Sequence, residues 1–238
     1  MKRAFYLGEL PGVGEEVALP QESLHKLTTV LKTSPGERFM LYGKGWWAEA
    51  EFLGRTARII AVNRYDVPTP EVHGALAFLK KDKISDAARF ASQLLLNGFY
   101  VFKSNRSLVE HKGRGWEERI ERILLNFSPV PSAPEFSVLS WEDVISFDAD
   151  LKIIPSVWKG ALPLEEALRS RTNVRKILFV IGPEGGFTEE EIEESLKADF
   201  VAVSLGAVPL FSEIAFFYTG AVVNEFFRRY FRASRVDI

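Results

Sequence analysis

Gly182, Pro183, Glu184, Gly185 and Gly186 stand between an apolar β-rich run, Lys176 to Ile181, and a segment that opens Thr188-Glu189-Glu190-Glu191. A glycine cluster between a strand and a helix often serves a ligand, because the backbone there can approach a bound group closely. Phosphate is a poor candidate for this turn. Thr188 and Glu191 have the spacing of a capping box, which satisfies the first N–H groups of the helix internally. Glu189, Glu190, Glu191, Glu193 and Glu194 add negative charge to its first turns. That charge favours the helix dipole and repels a polyphosphate. Neither G-x-x-x-x-G-K-[ST] nor G-x-G-x-x-G occurs here. A ligand held by shape and backbone groups fits better, although a tight turn with no ligand would use the same residue types.

A second stretch, "VSLGAVPLFSEIAFF" at 203–217, repeats the arrangement: a strand, Gly206, an apolar loop and a helix whose expected cap is Ser212. In a parallel sheet, ligands sit outside the carboxyl ends of the strands. The two turns, with "IIPS" at 153–156, can therefore form one pocket at one sheet edge. Its expected lining is Pro155, Ile181, Gly182, Pro183, Glu184, Gly185, Gly186, Leu205, Gly206 and Leu210. S-adenosylmethionine, with a cationic sulfonium and a flat adenine, is a ligand that such a pocket suits.

The elements that must position these turns fall into two parts. Residues 1–70 are mostly short β-rich runs between Gly/Pro turns, with one helix near "PQESLHKLTTVLK", where Leu24, Leu27, Val30 and Leu31 are at helical spacing. A small barrel with a helix on its side is expected. In "GWWAEAEF" one of Trp46 and Trp47 should face the core and the other solvent. "DVPTPEV", 66–72, is the expected boundary. From 71 to 238 strands alternate with helices: "ALAFLK", then "ISDAARFASQLLLNG" ended by Gly98, then "FYVFK", "GWEERIERILLNF", "FSVLS", "LKIIP", a short helix at 163–170, "KILFVI", the helix after Thr188, "FVAVSL" and a last helix from Ser212 to about Arg232. This rhythm gives an α/β domain with a mostly parallel sheet covered on both faces.

"IGPEGGFTEEEIE", followed by "VSLG" and a helix containing Ser212, Glu213 and Ala215, resembles the ribosomal small-subunit RNA methyltransferase E family of the SPOUT superfamily. The resemblance extends over most of the chain. "LHKLTTVLKTSPGERFMLYGKGWWAEAEF" is similar to that family's PUA-like RNA-binding domain. It implies an N-terminal PUA-like β-barrel (1–70) and a SPOUT α/β domain (71–238) tied in a deep trefoil knot. It also implies a homodimer that uses S-adenosylmethionine to methylate N3 of a uridine in 16S rRNA in the cytoplasm. Glu213 and Ser212 then become the catalytic candidates. The family pattern L-G-P-R-I-L-R-T-E-T-A is met at Leu205, Gly206, Leu210, Glu213 and Ala215. Val208 and Phe211 replace its two arginines, and Val130 stands where a mid-chain arginine belongs. A uridine N3 proton is lost far above neutral pH, so transfer needs stabilisation of the developing anion, which a guanidinium can give. A family member that binds rRNA, with or without S-adenosylmethionine, and transfers nothing is the alternative.

Charge bears on the RNA partner. Net charge is −2, but residues 1–70 carry +1, 71–128 carry +3 and 129–238 carry −6. Lys32, Lys80, Lys81, Lys83 and Arg106 are the RNA-binding candidates, with a solvated basic face as the bland counterpart. There is no cysteine, and the three histidines, His25, His73 and His111, are scattered, so no metal is expected. No apolar run is of membrane-spanning length.

Overall fold

The computed structural model describes residues 4–43, 45–64, 70–111, 114–128, 133–171 and 173–228. They fall into two compact units, the first within residues 1–67 and the second making up most of 68–238.

The first unit contains strands β1 (Ala4–Tyr6), β2 (Glu16–Ala18), β3 (Arg38–Gly43), β4 (Trp46–Phe52) and β5 (Thr56–Arg64), with helix α1 (Gln21–His25) before β3. The sheet order is β1-β3-β4-β5-β2. β1 runs parallel to β3 and the other pairs are antiparallel. No ladder joins β1 to β2 among the described residues, so the sheet of the expected small barrel is not closed between these two strands. Strand alternation buries Trp46, Ala48, Ala50 and Phe52 on one face and leaves Trp47 half-buried. α1 continues as a π-helical turn over Lys26–Val30. This wider turn breaks the 3.6-residue stripe. Leu27 stays fully buried, whereas Val30, expected on the same stripe, is 63% exposed.

The second unit is a seven-stranded sheet of β6 (Glu71–Ala77), β7 (Gly98–Phe102), β8 (Glu135–Leu139), β9 (Leu151–Pro155), β10 (Leu162–Pro163), β11 (Lys176–Ile181) and β12 (Phe200–Ser204). Its order is β10-β12-β9-β11-β6-β7-β8, and every ladder is parallel. Six helices accompany it: α2 (Lys81–Gln93), α3 (Arg114–Phe127), α4 (Trp141–Ile145), α5 (Leu164–Arg169), α6 (Glu189–Lys197) and α7 (Ser212–Arg228). Period-two alternation divides the apolar strands between two cores. Ile177, Phe179 and Ile181 of β11 pack with side chains of α2, α3, α5 and α7, while Leu178 and Val180 pack with those of α4 and α6. With both faces covered, β6, β7 and β11 are near-continuous apolar runs, as a buried parallel sheet requires.

Two expectations along the chain are corrected. The strand expected at "ALAFLK" begins at Glu71, so Val72, expected in the linker, is a fully buried strand residue. The rest of that linker, 65–69, lies outside the described residues. Gly98 does not cap α2 either. The left-handed residue there is Leu95 (φ 54), which lets the Leu96 N–H donate back to the Ala91 carbonyl. Gly98 instead opens β7 beside a buried polar pair. His73 Nδ1 lies 3.2 Å from the Tyr100 hydroxyl, which donates to Glu135. A Cβ on Gly98 would come 2.5 Å from His73 Nδ1 and 2.6 Å from that hydroxyl. Gly98→Ala is therefore expected to cost about 1–3 kcal/mol by overpacking. Thermal unfolding checks this, and an unchanged midpoint would show that the pair yields freely.

Candidate active site

The carboxyl ends of β9, β11, β12 and β6 lie along one edge of the sheet, because these strands are parallel neighbours. Both glycine turns leave from this edge. In the first, Gly186 donates from its N–H to the Pro183 carbonyl at 2.9 Å and has φ +68, a left-handed backbone that favours glycine. Phe187 anchors the turn to the sheet, with its ring 5.9 Å from Trp141 and 6.5 Å from Phe102. α6 then starts from the expected capping box. The Glu191 N–H donates to Thr188 Oγ1 at 3.2 Å, and the Thr188 N–H donates to Glu191 Oε2 at 2.8 Å.

Glu191 has a second task that its local sequence does not reveal. Its other oxygen accepts from Ser104 Oγ at 2.9 Å and from the Asn105 N–H at 2.8 Å. It is 2% exposed. The carboxylate thus ties the start of α6 to the loop after β7. Arg106, in that same loop, donates from Nη1 to the carbonyls of Gly185 at 2.9 Å and Phe187 at 3.1 Å. This residue, expected on an RNA surface, has an exposed side chain whose guanidinium braces the glycine turn. Arg106→Met is expected to weaken a ligand held by this turn about tenfold, the equivalent of one charge-assisted contact. Calorimetric titration separates the two roles. Full ligand affinity with a reduced salt slope of RNA binding would return Arg106 to an RNA surface.

The second turn follows β12. Gly206 has φ +128, and its N–H donates to Ser204 Oγ at 3.3 Å. Ser156, next to Pro155, donates from its N–H to the Val203 carbonyl at 2.9 Å, so the turn after β9 adjoins this one. Leu205 packs against the core, whereas Val208, Leu210 and Phe211 are 71%, 40% and 71% exposed. They form an apolar lip. Ser212 is not the cap of α7. The Ala215 N–H donates to the Phe211 carbonyl at 2.8 Å, which makes Phe211 the capping position and places Ser212, buried, in the first helical turn.

Lys83, on α2, joins the two turns. Its ammonium lies 3.6 Å from Glu184 Oε1 of the first and 3.3 Å from Glu213 Oε2 of the second. Lys80 and Lys81, beside it in sequence, are exposed. Lys32 lies in the first unit with φ +48. Val130 is outside the described residues. A cavity of about 440 Å³, lined by Phe147, Asp150, Lys152 and Asp199, opens at the opposite edge, before β9 and β12, where neither turn reaches. Among the described residues no three His, Asp or Glu come together as a metal site, and no helix is long and apolar enough to cross a membrane.

A family model described as an RNA methyltransferase domain matches residues 67–224, which is the whole of this edge and the sheet behind it. The chain belongs to the RNA methyltransferase domain family. Among individual members it is similar to ribosomal RNA small subunit methyltransferase E of Synechocystis sp., with 26% identity over 80% of this chain and 66% of that one. The chain thus spans just under two thirds of that relative. It is 24% identical to the enzyme of the same description from Mycobacterium bovis, over 87% of this chain and 85% of that one. Among solved structures it is similar to ribosomal RNA small subunit methyltransferase E from Neisseria gonorrhoeae bound to S-adenosyl methionine. That likeness has a TM-score of 0.80 and 25% identity, over 94% of this chain and 97% of that one. The residues matched by this RNA methyltransferase family include both glycine turns and the strands they leave.

Proposed function

We propose that the chain is an S-adenosylmethionine-dependent methyltransferase acting on N3 of a uridine in 16S rRNA. The observation that carries this is the meeting of two glycine turns, two carboxylates and an apolar lip at one sheet edge. The chemistry of these groups fits the cofactor. Glu184 and Glu213 share the one Lys83 ammonium and so leave a net negative charge that suits a cationic ligand, Val208, Leu210 and Phe211 suit a flat apolar ring, and the glutamates of α6 disfavour a polyphosphate. The residues to hold it are Pro155, the 181–186 turn, Leu205, Gly206 and Leu210. S-adenosylmethionine, when bound, supplies an electrophilic methyl group. The chain's own residues do the rest. Arg106 and Glu191 keep the first turn preorganised, Ser212 and Glu213 set the start of α7 beside the reacting ring, and the exposed lip excludes water once covered.

Residues 1–70 serve as a PUA-like RNA-binding domain and 71–238 as a SPOUT domain with a trefoil knot. Lys32, Lys80 and Lys81 meet the phosphates of the small-subunit RNA. The working form is a cytoplasmic homodimer. Ile214, Phe217 and Tyr218 on α7 are 42%, 41% and 43% exposed, and together with Phe211 they make an apolar surface that a monomer would leave wet. Light scattering that returns the mass of one chain would remove the dimer. A chain that binds without transferring is the alternative, favoured by Val208 and Phe211 where cationic residues were expected. Incubation of purified protein with small ribosomal subunits and methyl-labelled S-adenosylmethionine decides between them. Labelled 16S rRNA supports transfer, and bound cofactor with unlabelled RNA supports the alternative.

A further inference from the structure

α2 begins just past the carboxyl end of β6, and its third residue reaches toward both glycine turns. The Lys83 ammonium is 3.3 Å from Glu213, 3.6 Å from Glu184 and 5.1 Å from the centroid of the Phe211 ring. Glu213 lies 130 residues away along the chain. The lysine side chain is only 24% exposed and that of Glu213 only 17%. An exposed ion pair on one helix would be worth little and would position nothing. This one is largely withdrawn from water, joins three separate segments and is faced by an aromatic ring. An ammonium has three donors. Among the described residues only the Glu213 contact has hydrogen-bond geometry, and Glu184 is a longer ionic contact. The cation is held in place with donor capacity left for a further acceptor. Phe211, the residue beneath it, carries no charge, so Lys83 is the cation that this lip presents.

We infer that Lys83, held by Glu184 and Glu213, stabilises the negative charge that develops on the target base during methyl transfer. The assignment rests on the proposed methylation of a ring N–H flanked by carbonyls. The ring N–H proton goes to water as the reaction begins, and the negative charge this puts on the ring spreads to its carbonyl oxygens, which an ammonium can meet. The N–CH₃ bond then forms as the S–CH₃ bond breaks, the bonding pair of that bond stays on sulfur, and the methylated ring ends neutral. Lys83 thereby does from α2 what residues 208 and 211 cannot.

The experiment compares wild type, Lys83→Met and Lys83→Arg on small ribosomal subunits with labelled S-adenosylmethionine. Cofactor affinity is measured by calorimetry and kcat is followed across pH. Lys83→Met is expected to keep its cofactor affinity and to lose roughly 10²–10³-fold in kcat, the usual effect of one preorganised charge contact. The deficit should shrink as pH rises toward the ring's own ionisation, because the free anion then needs less help. Lys83→Arg should restore most of the rate, since it keeps the charge. Wild-type kcat in Lys83→Met, or a deficit that is the same at every pH, would overturn the inference and leave the methyltransferase intact. No labelling by wild type, with cofactor still bound, would remove the methylation itself and this role with it.

Discussion

Gly186→Val is expected to weaken S-adenosylmethionine binding by roughly 10–10²-fold while the protein remains folded. Gly186 has φ +68, and a β-branched residue held there costs on the order of 1–3 kcal/mol. Every 1.4 kcal/mol is about tenfold in affinity if the turn escapes the strain by changing shape. No neighbouring atom stands within 4 Å of the position a Cβ would take, so the penalty is one of backbone conformation rather than of clash. The fold should survive, because β11 and α6 are fixed on either side by the sheet and by the Thr188–Glu191 box. Calorimetric titration with a circular-dichroism control measures the effect. Undiminished affinity in a folded variant would mean that this turn does not touch the cofactor.

Glu191→Ala has the largest expected effect on stability. The carboxylate satisfies the Thr188 N–H, the Ser104 hydroxyl and the Asn105 N–H from a position that is 2% exposed. Losing one half of a capping box costs about 1 kcal/mol. Hydrogen bonds to a charged group contribute about 1.5–3 kcal/mol each, although the lost terms do not add fully. A total of roughly 3–5 kcal/mol follows, which for a chain of this size lowers the melting temperature by about 6–20 °C. Glu191→Gln should fall between, because an amide has one acceptor oxygen in place of two. A midpoint within about 2 °C of wild type for the alanine variant would show that water replaces the carboxylate.

The contrast between Glu191 and Lys83 explains how much of the site was legible in the sequence. The capping box is a local device, four residues wide, and its residue types announce it. The strand-to-helix rhythm is equally local, and it gave the parallel sheet and the edge from which both turns leave. Charge alone groups Arg106 and Lys83 as RNA contacts. Their partners, Gly185, Phe187, Glu184 and Glu213, lie in segments that only the sheet order brings near. No spacing rule could have paired them. The π-helical turn after α1 defeated the helical stripe at Val30 by widening one turn. Gly98 defeated a capping rule because the fold used a leucine at positive φ and kept the glycine for close packing against His73 and Tyr100. Ser212 has the right residue type for a cap one position too late, since the helix takes its first carbonyl from Phe211.

Mass mapping of 16S rRNA is the most direct test of methyl transfer to one base of the small-subunit RNA. RNA would be taken from cells with and without this chain, and from subunits lacking the modification after treatment with purified protein and S-adenosylmethionine. A single added methyl group on one uridine, placed at N3 by fragmentation, present only with the chain and restored by the purified protein, is the predicted result. Identical 16S rRNA in both kinds of cell, with no methyl group added in vitro by a protein that still binds the cofactor, would contradict it.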